Sequence, residues 1–234
     1  MTAFLFLGLV LLVFRLVAAA SARYLPRETA ALVTPVLSVW LILVGAVSAA
    51  GLVRGGGGGP PGILLVAGPV ALFLVLVAWS GGALRLASRL PVWVLIGAQA
   101  YRVGVELALH QLWLEGLVPR MMTYAGANVD IWVGGSAPLA AWLALQGRPG
   151  RVLALAWNGV GLLALGNVVA RSVLTAPGPL HLLATEVPNL AVGTFPYTYI
   201  AGFLAPLAAA LHVLCIRVLL RSPAAARAEA GTSA

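Results

Sequence analysis

Residues 91–114 read PVWVLIGAQAYRVGVELALHQLWL, and this stretch decides the class of the fold. It is almost wholly apolar, and its only charged residues are Arg102 and Glu106. About 20 apolar residues in a helix cross the hydrocarbon core of a bilayer, whereas a barrel strand alternates polar and apolar residues over about ten positions. No such alternation occurs here. The stretch therefore predicts a transmembrane helix.

The composition of the whole chain agrees with this helix. Of the 234 residues, 62% are hydrophobic and 9% are charged, whereas about a quarter of the residues in a soluble domain are charged. In lipid every backbone polar group needs a partner within the protein, which leaves helical bundles and closed barrels. We therefore predict an all-α, polytopic integral membrane protein whose solvent is the lipid bilayer.

Six further apolar stretches resemble residues 91–114. We predict one seven-helix transmembrane domain over residues 1–221 and a disordered polar tail over 222–234. A glycine-rich and proline-rich turn separates the second span from the third. The predicted spans are Thr2–Ala20, Ala30–Val53, Gly62–Trp79, Pro91–Leu114, Asp130–Leu145, Val152–Ala170 and Tyr197–Leu219.

The segment 174–196, before the last predicted span, contains several prolines and cannot form one long helix. Leu180, Leu182, Leu183 and Val187 make it too apolar for a free loop. It predicts a short interfacial helix or a lid packed over the bundle.

The distribution of arginine predicts the orientation in the membrane. With the N-terminus outside, the cytoplasmic connections and tail carry nine arginines and the outer connections carry three. Positive residues favour the cytoplasmic side, so we predict that the N-terminus is outside and the C-terminus is cytoplasmic. The nine are Arg23, Arg27, Arg85, Arg89, Arg148, Arg151, Arg217, Arg221 and Arg227, and the three are Arg54, Arg120 and Arg171.

The net charge of +8 does not indicate a nucleic-acid partner. The arginines occur singly or in pairs near the ends of spans, without the basic block or aromatic platform of a nucleic-acid-binding surface. Positive-inside anchoring explains most of them. The Ala-, Gly-, Leu-, Val- and Arg-rich composition is typical of GC-rich bacterial genomes, so we expect a multi-pass protein of a bacterial inner membrane.

Polar residues are concentrated on one face of the fourth predicted helix. Gln99, Arg102, Glu106, His110 and Trp113 recur at spacings of three and four residues and fall within an arc of about 80°. Ionisable groups inside a membrane are costly and usually face the bundle interior or a watery cavity.

This polar face has a structural and a functional interpretation. In the structural one, Arg102 and Glu106 neutralise each other at a spacing of four residues, and Asn158 completes their hydrogen bonds. In the functional one, the face lines a pocket that opens outward. Asn128, Asp130, His181 and Glu186 lie near the same side of the membrane and would join it; these four are the candidates for the rim of the pocket.

The preferred function is the binding of a small polar or anionic ligand, with transport or sensing as its purpose. Arg102 would be the charge anchor. Glu106 and His110 would be hydrogen-bonding or proton-linked groups. We expect Gln99 and Asn158 to be ligand-binding residues of the same pocket.

A metal ion is a further hypothesis for this site, and the cofactor is otherwise unidentified. Glu106 and His110 can present ligand atoms from one helical face, as paired ligands in helical bundles do. Asp130, His181 or Glu186 would complete three or four ligands. The neighbouring Arg102 argues against a bound cation.

Two alternatives belong to other classes of protein. The first is a membrane-embedded enzyme that acts on a lipid or quinone, with Glu106 or His110 as the acid or base. The second is a structural subunit whose buried polar residues only specify helix packing. His212, the third histidine of the chain, is interpreted as a structural residue hydrogen-bonded to a neighbouring helix. The sequence does not determine the oligomeric state.

The orientation yields the first testable prediction. A reporter fused to the C-terminus should be active or protected on the cytoplasmic side, because nine of the twelve arginines counted at or near the span ends then lie on that side. The measurement is a paired fusion with one reporter that works only in the cytoplasm and one that works only outside it. Activity of the outside reporter would reverse the orientation.

Overall fold

The structure is a computed structural model that describes residues 1–54, 62–178 and 180–221. Most of the glycine-rich turn (55–61), Pro179 and the tail predicted to be disordered (222–234) lie outside the described residues. All regular secondary structure in the described ranges is helical, so the all-α prediction is confirmed.

The described chain forms nine α-helices. Three 3-10 turns (Ala98–Tyr101, Arg120–Met122 and Ala191–Gly193) and one π-helical turn (Ile200–Leu204) lie between them. The α-helices are α1 (Thr2–Tyr24), α2 (Arg27–Ala49), α3 (Leu64–Trp79), α4 (Gly81–Ala87), α5 (Val92–Gly97), α6 (Arg102–Leu114), α7 (Asp130–Leu143), α8 (Gly147–Thr175) and α9 (Ala205–Leu220).

Five helical stretches of the described chain are long and apolar enough to cross a membrane. They are α1, α2, the continuous stretch Val92–Leu114, α8 and Ile200–Leu220. A sixth is present if α3 and α4, which meet at 75°, count as one bent span. Several long apolar helices support a membrane protein. Seven separate spans, as predicted from the sequence, are not confirmed.

The break between α3 and α4 has a local cause. Ser80 is extended, with ψ of 127°, and its side chain accepts a hydrogen bond of 3.2 Å from the Ala83 amide. Serine in this conformation is a preferred helix N-cap. The chain therefore ends one helix at Trp79 and begins another at Gly81, with a sharp change of direction.

Helix α7 is the clearest departure from the predicted spans. Asp130–Leu145 is predicted as a span, but the helix has only 14 residues and is about 21 Å long. Gly134 packs against the backbone nitrogen of Val103 and the Cβ of Arg102, at the middle of Val92–Leu114. Helix α7 therefore begins inside the bundle and runs beside the half of Val92–Leu114 that contains Val92.

The position of α7 changes the role of residues 115–129. We call the two ends of the bundle the Leu114 end and the Val92 end, after the two ends of the helical stretch Val92–Leu114. From Leu114 the chain turns back into the bundle, because Asn128 contacts Glu106, which lies about 12 Å along the helix from Leu114. This connection is thus a re-entrant segment that is partly buried, at Val118, Pro119, Met122, Thr123 and Asn128.

The π-helical turn before α9 is held by side chains from other helices. Pro206 has no N–H to donate to the preceding turn, and Trp40 of α2 donates to the Gly202 carbonyl at 2.8 Å. From Val92–Leu114, Tyr101 donates to the Leu204 carbonyl at 2.5 Å and Gln99 donates to the Ala208 carbonyl at 3.1 Å. These bonds fix α9 beside the helix that carries the polar face.

The close approach of α7 to α6 generates a second prediction. A Cβ at Gly134 would lie 2.8 Å from the Val103 amide nitrogen and 3.1 Å from the Arg102 Cβ. Gly134→Ala should therefore push the helices apart and destabilise the protein by about 1–3 kcal/mol, seen as a lower melting temperature in detergent. Gly135→Ala is the matched control, since a Cβ there meets nothing within 4 Å. Equal melting temperatures would contradict this packing.

Candidate functional site

Arg102 is at the centre of a buried polar network. Its side chain is 3% exposed and forms an ion pair with Asp130, the first residue of α7. The guanidinium Nη1 lies 2.8 Å from Nε2 of His212 on α9. Its Nε has no hydrogen-bond partner among the described residues. A buried guanidinium is stable only when it is paired in this way.

The contacts of His212 determine its tautomer. Arginine can only donate, so Nε2 of His212 accepts from Arg102. Nδ1 therefore carries the hydrogen and donates to Asn158 Oδ1 of α8 at 2.8 Å. The Asn158 amide nitrogen donates in turn to the Ala154 carbonyl at 2.7 Å and approaches Cys215 Sγ at 3.3 Å. One hydrogen-bonded chain thus links α6, α8 and α9.

Glycine at 161 makes room for this histidine. A Cβ at Gly161 of α8 would overlap the ring of His212. The ring lies directly beside Gly161 and is completely buried. Because of this close approach, α8 brings Asn158 within hydrogen-bonding distance of Nδ1.

Glu106 has a partner of its own. The Asn128 amide nitrogen donates to both Glu106 carboxyl oxygens at 2.8 Å. The same nitrogen lies 3.0 Å from the Met122 carbonyl, and Asn128 Oδ1 accepts from the Asp130 amide at 3.0 Å. Asn128 therefore ties the re-entrant segment to the start of α7.

The pairing expected between Arg102 and Glu106 is not what the structure shows. Both side chains are buried, as expected of charges in a membrane. The only ion pair within the described ranges is between Arg102 and Asp130. Spacing within one helix suggested the first pairing, but the re-entrant segment brings Asp130 and Asn128 close to these two side chains.

A cavity of about 380 Å³ lies beside this network, in the Leu114 half of the bundle. Its walls come from α3, α6, α8, the residues around the π-helical turn and the segment before it. Most lining residues are aliphatic. The charged residues among them are Arg102, Glu106 and Asp130.

The opening of the cavity is indicated by lining residues that are also exposed. Ala67 and Ala71 of α3 line one side, and Val169 and Val173 of α8 line the other. All four are exposed on the apolar surface of the bundle. The cavity is therefore continuous with the lipid-facing surface between α3 and α8.

The segment 176–199 covers the cavity at the Leu114 end. It contains one 3-10 turn and no α-helix, so the predicted interfacial helix is absent in its described part. The Leu190 amide donates to the Leu117 carbonyl at 2.9 Å, and the Arg120 amide donates to the Glu186 carboxylate. Asn189 and Val192 line the cavity. This packing agrees with the predicted lid.

One tyrosine of this segment also lines the cavity. Tyr197 is 6% exposed and packs on Phe6 of α1, with ring centroids 5.4 Å apart. Burial, with a smaller contribution from the Glu115 carboxylate, raises the pKa of the Tyr197 phenol above its usual value.

The predicted pocket shared by His110 and the loop residues is not formed. His110 stacks on Tyr124, with ring centroids 4.6 Å apart, and does not line the cavity. His181 is exposed, 3.2 Å from the Thr175 carbonyl, and Glu186 holds the Arg120 amide outside the cavity. The lid bonds to its own neighbours, and so these side chains do not converge.

The other predicted ligand-binding residues support the cavity and do not line it. Gln99 bonds to the backbone of α9, Asn128 holds Glu106, and Asn158 holds His212. Arg102, Glu106 and Asp130 alone among the nine candidates reach the cavity.

The proposed metal ligands do not form a metal site. Within the described ranges, no three His, Cys, Asp or Glu residues are arranged to hold a metal ion. Glu106 is bonded to Asn128, and His110 lies against Trp113 and Tyr124. Their spacing of four residues is geometrically suitable, but the third ligand is missing.

Two residues of the site were missing from the sequence-based candidates. His212 is bonded to neighbouring helices, as expected of a structural residue, and through its contact with Arg102 it also belongs to the site. Tyr101 was not a candidate and lines the cavity. The signal for His212 is a lone polar residue in an apolar helix, because such a group needs a partner. Asn158 gives the same signal in α8.

Comparison of the chain with models of protein families, with curated proteins and with solved structures finds no match. The contacts of the site itself therefore carry the functional argument.

The buried ion pair gives the third prediction. Arg102→Met and Asp130→Asn should each lower the free energy of unfolding by roughly 3–5 kcal/mol, because each leaves a buried charge without its partner. The double variant removes both charges and should lose less than the sum. Arg120→Ala, at an exposed arginine, should change stability by about 0.5 kcal/mol or less. Additive losses in this double-mutant cycle would show that the two residues are not coupled.

Proposed function

We propose that this protein binds a lipid-like amphiphile within the membrane. The apolar chain of the ligand lies in the cavity, and its polar head lies at Arg102, Glu106 and Asp130. The observation that carries the proposal is the combination of a largely aliphatic cavity of about 380 Å³ with one buried charged cluster in its wall. Ligand pockets are typically 300–1,000 Å³, mostly apolar, with a few polar groups that orient the ligand.

The lining favours an amphiphile over the small polar or anionic ligand expected from the sequence. A wholly polar ligand would leave hydrogen-bonding atoms against Leu165, Val168 and Leu204, at a cost of several kcal/mol. Arg102 is also already neutralised by Asp130 and is not a free anchor for an anion. A ligand with an apolar chain and a compact polar head would match both the aliphatic lining and the charged cluster.

The exposed edge of the cavity supports entry from the bilayer. Ala71 and Val173 line it from α3 and α8 and are also part of the lipid-facing surface. An amphiphile dissolved in the membrane reaches the cavity sideways between these helices, so its chain need never cross water.

The beginning of α7 inside the bundle favours transport as the purpose of binding. Discontinuous helices that end near the middle of the membrane, beside the substrate site, are typical of many secondary transporters. Here α7 begins at Asp130, next to Arg102 and Glu106. A carrier of amphiphiles would use this end of α7 as part of its site.

Enzymatic action on a lipid or quinone is the second candidate. Glu106 lines the cavity and has an amide partner that fixes its carboxyl group. From that position it can exchange a proton with the head of a bound molecule. His110 lies outside the cavity, so Glu106 alone carries this alternative.

We also propose that the chain crosses the membrane seven times, with its N-terminus outside. In this topology α3 and α4 form one bent crossing. The re-entrant segment 115–129 and α7 together return the chain to the Val92 end. The arginines near α4, the start of α8 and the end of α9 then lie on the cytoplasmic side. The lid and the cavity lie toward the outer face.

The fourth prediction tests the cavity with a bulky substitution at its edge. Ala71→Trp should fill part of the cavity and weaken binding of a long-chain amphiphile by about tenfold or more. Losing two or three buried methylenes costs about 0.8 kcal/mol each, and 1.4 kcal/mol is tenfold in affinity. The measurement is native mass spectrometry of the purified protein titrated with the amphiphile.

Leu72→Trp is the matched control, because Leu72 is the next residue of α3, is exposed and does not line the cavity. It should bind as the unsubstituted protein does. Equal binding by all three proteins would contradict a ligand in this cavity.

A further inference from the structure

We propose that the head group of the bound amphiphile is an ammonium group that donates hydrogen bonds to the cluster at Glu106. This inference rests on the proposed function and names the chemical class of its ligand. It follows from the charges that line the cavity and from the polar atoms there that still lack partners.

The cavity wall contains more acidic than basic side chains. Its charged groups in the described chain are one guanidinium, on Arg102, and two carboxyl groups, on Glu106 and Asp130. Arg102 and Asp130 neutralise each other. Glu106 forms no ion pair of its own in the described chain. An ammonium head group would give it an oppositely charged partner and would favour its carboxylate form.

Glu106 has unused capacity to accept hydrogen bonds. Its two oxygens share the single amide nitrogen of Asn128, whereas a carboxylate offers about four acceptor positions. Glu106 is 2% exposed, so its remaining positions face the cavity or the protein and not open solvent. An N–H donor entering the cavity would bind there with a charge-assisted bond.

A second acceptor points to the same chemistry. The Asn189 amide nitrogen lies 3.0 Å from the Ser172 hydroxyl and 3.5 Å from the Ser172 carbonyl. Because a carbonyl can only accept, the amide nitrogen and not the amide oxygen of Asn189 faces Ser172. Asn189 Oδ1 is then buried without a partner among the described residues. Asn189 is 2% exposed and lines the cavity. Its free acceptor also calls for a donor on the ligand.

An anionic head group fits this wall poorly. The terminal nitrogens of Arg102 are bound to His212 and Asp130, and only Nε lacks a partner. A phosphate or sulfate at that nitrogen would meet the two carboxyl groups beside it. The arginine in this site thus holds Asp130 and α7 in place and does not recruit an anion.

The test compares ligands that share one chain and differ in the head. Dodecylamine, dodecanol and dodecyl sulfate are titrated into the purified full-length protein in a non-ionic detergent, and binding is read by native mass spectrometry. The amine should bind about tenfold or more tightly than the alcohol, as a charge-assisted hydrogen bond in apolar surroundings provides. The sulfate should bind most weakly. Ethylamine, which has the head without the chain, should not compete.

Glu106→Gln removes the charge and keeps the shape of the side chain and one of its two acceptor oxygens. It should reduce the preference for the amine over the alcohol by about tenfold. Glu115→Gln is the control, because Glu115 is an exposed carboxylate outside the cavity. If Glu106→Gln does not fold, the preference of the unsubstituted protein for the amine over the alcohol is sufficient to test the ammonium head group.

The outcomes separate this inference from the proposed function. Equal binding of the three long-chain ligands, or tightest binding of the sulfate, would overturn the ammonium head and leave the amphiphile site intact. Binding of none of them would overturn the proposed function and this inference with it. Competition by ethylamine at the same concentration as dodecylamine would keep the ammonium site but refute the amphiphile.

Discussion

A guanidinium cannot remain in an apolar bundle without partners, and the burial of Arg102 therefore constrains the helices around it. One partner is the Asp130 carboxylate, at the start of α7, and another is the His212 ring on α9, which Asn158 of α8 holds in turn. The charge and the two terminal nitrogens are satisfied only when α6, α7, α8 and α9 all occupy their places. Gly134 and Gly161 allow the close approaches that these contacts require.

The demand for an acidic partner also explains the shape of the middle of the chain. Asp130 has to reach Arg102, so residues 115–129 turn into the bundle and α7 begins there, beside the Val92 half of the long helix. Beyond its first turns, α7 lies beside the Val92 half. The cavity lies in the Leu114 half, with the re-entrant Met122 and the lid residue Asn189 in its wall. Pairing of the charge and formation of the cavity are two consequences of one arrangement.

The cavity wall has an aliphatic part and a charged part. The aliphatic walls between α3 and α8 are continuous with the exposed apolar surface of the bundle, whereas Arg102, Glu106 and Asp130 in the same wall are buried. A molecule with one chain and one compact head matches both parts. Free hydrogen-bond acceptors outnumber free donors in the wall, and this is the basis for the proposed ammonium head group.

The sequence by itself determined that the chain is helical and apolar enough for a membrane. It also showed that Arg102 and Glu106 are buried, because apolar periodicity and the cost of charge in lipid are local properties. Only the tertiary structure decided that Arg102 pairs with Asp130, that His212 orients it, and that His110 lies outside the cavity. Those choices depend on which helices meet and at what depth. The 14-residue α7 shows the reason: its composition is that of a span, but its start is set by a partner 28 residues earlier in the chain.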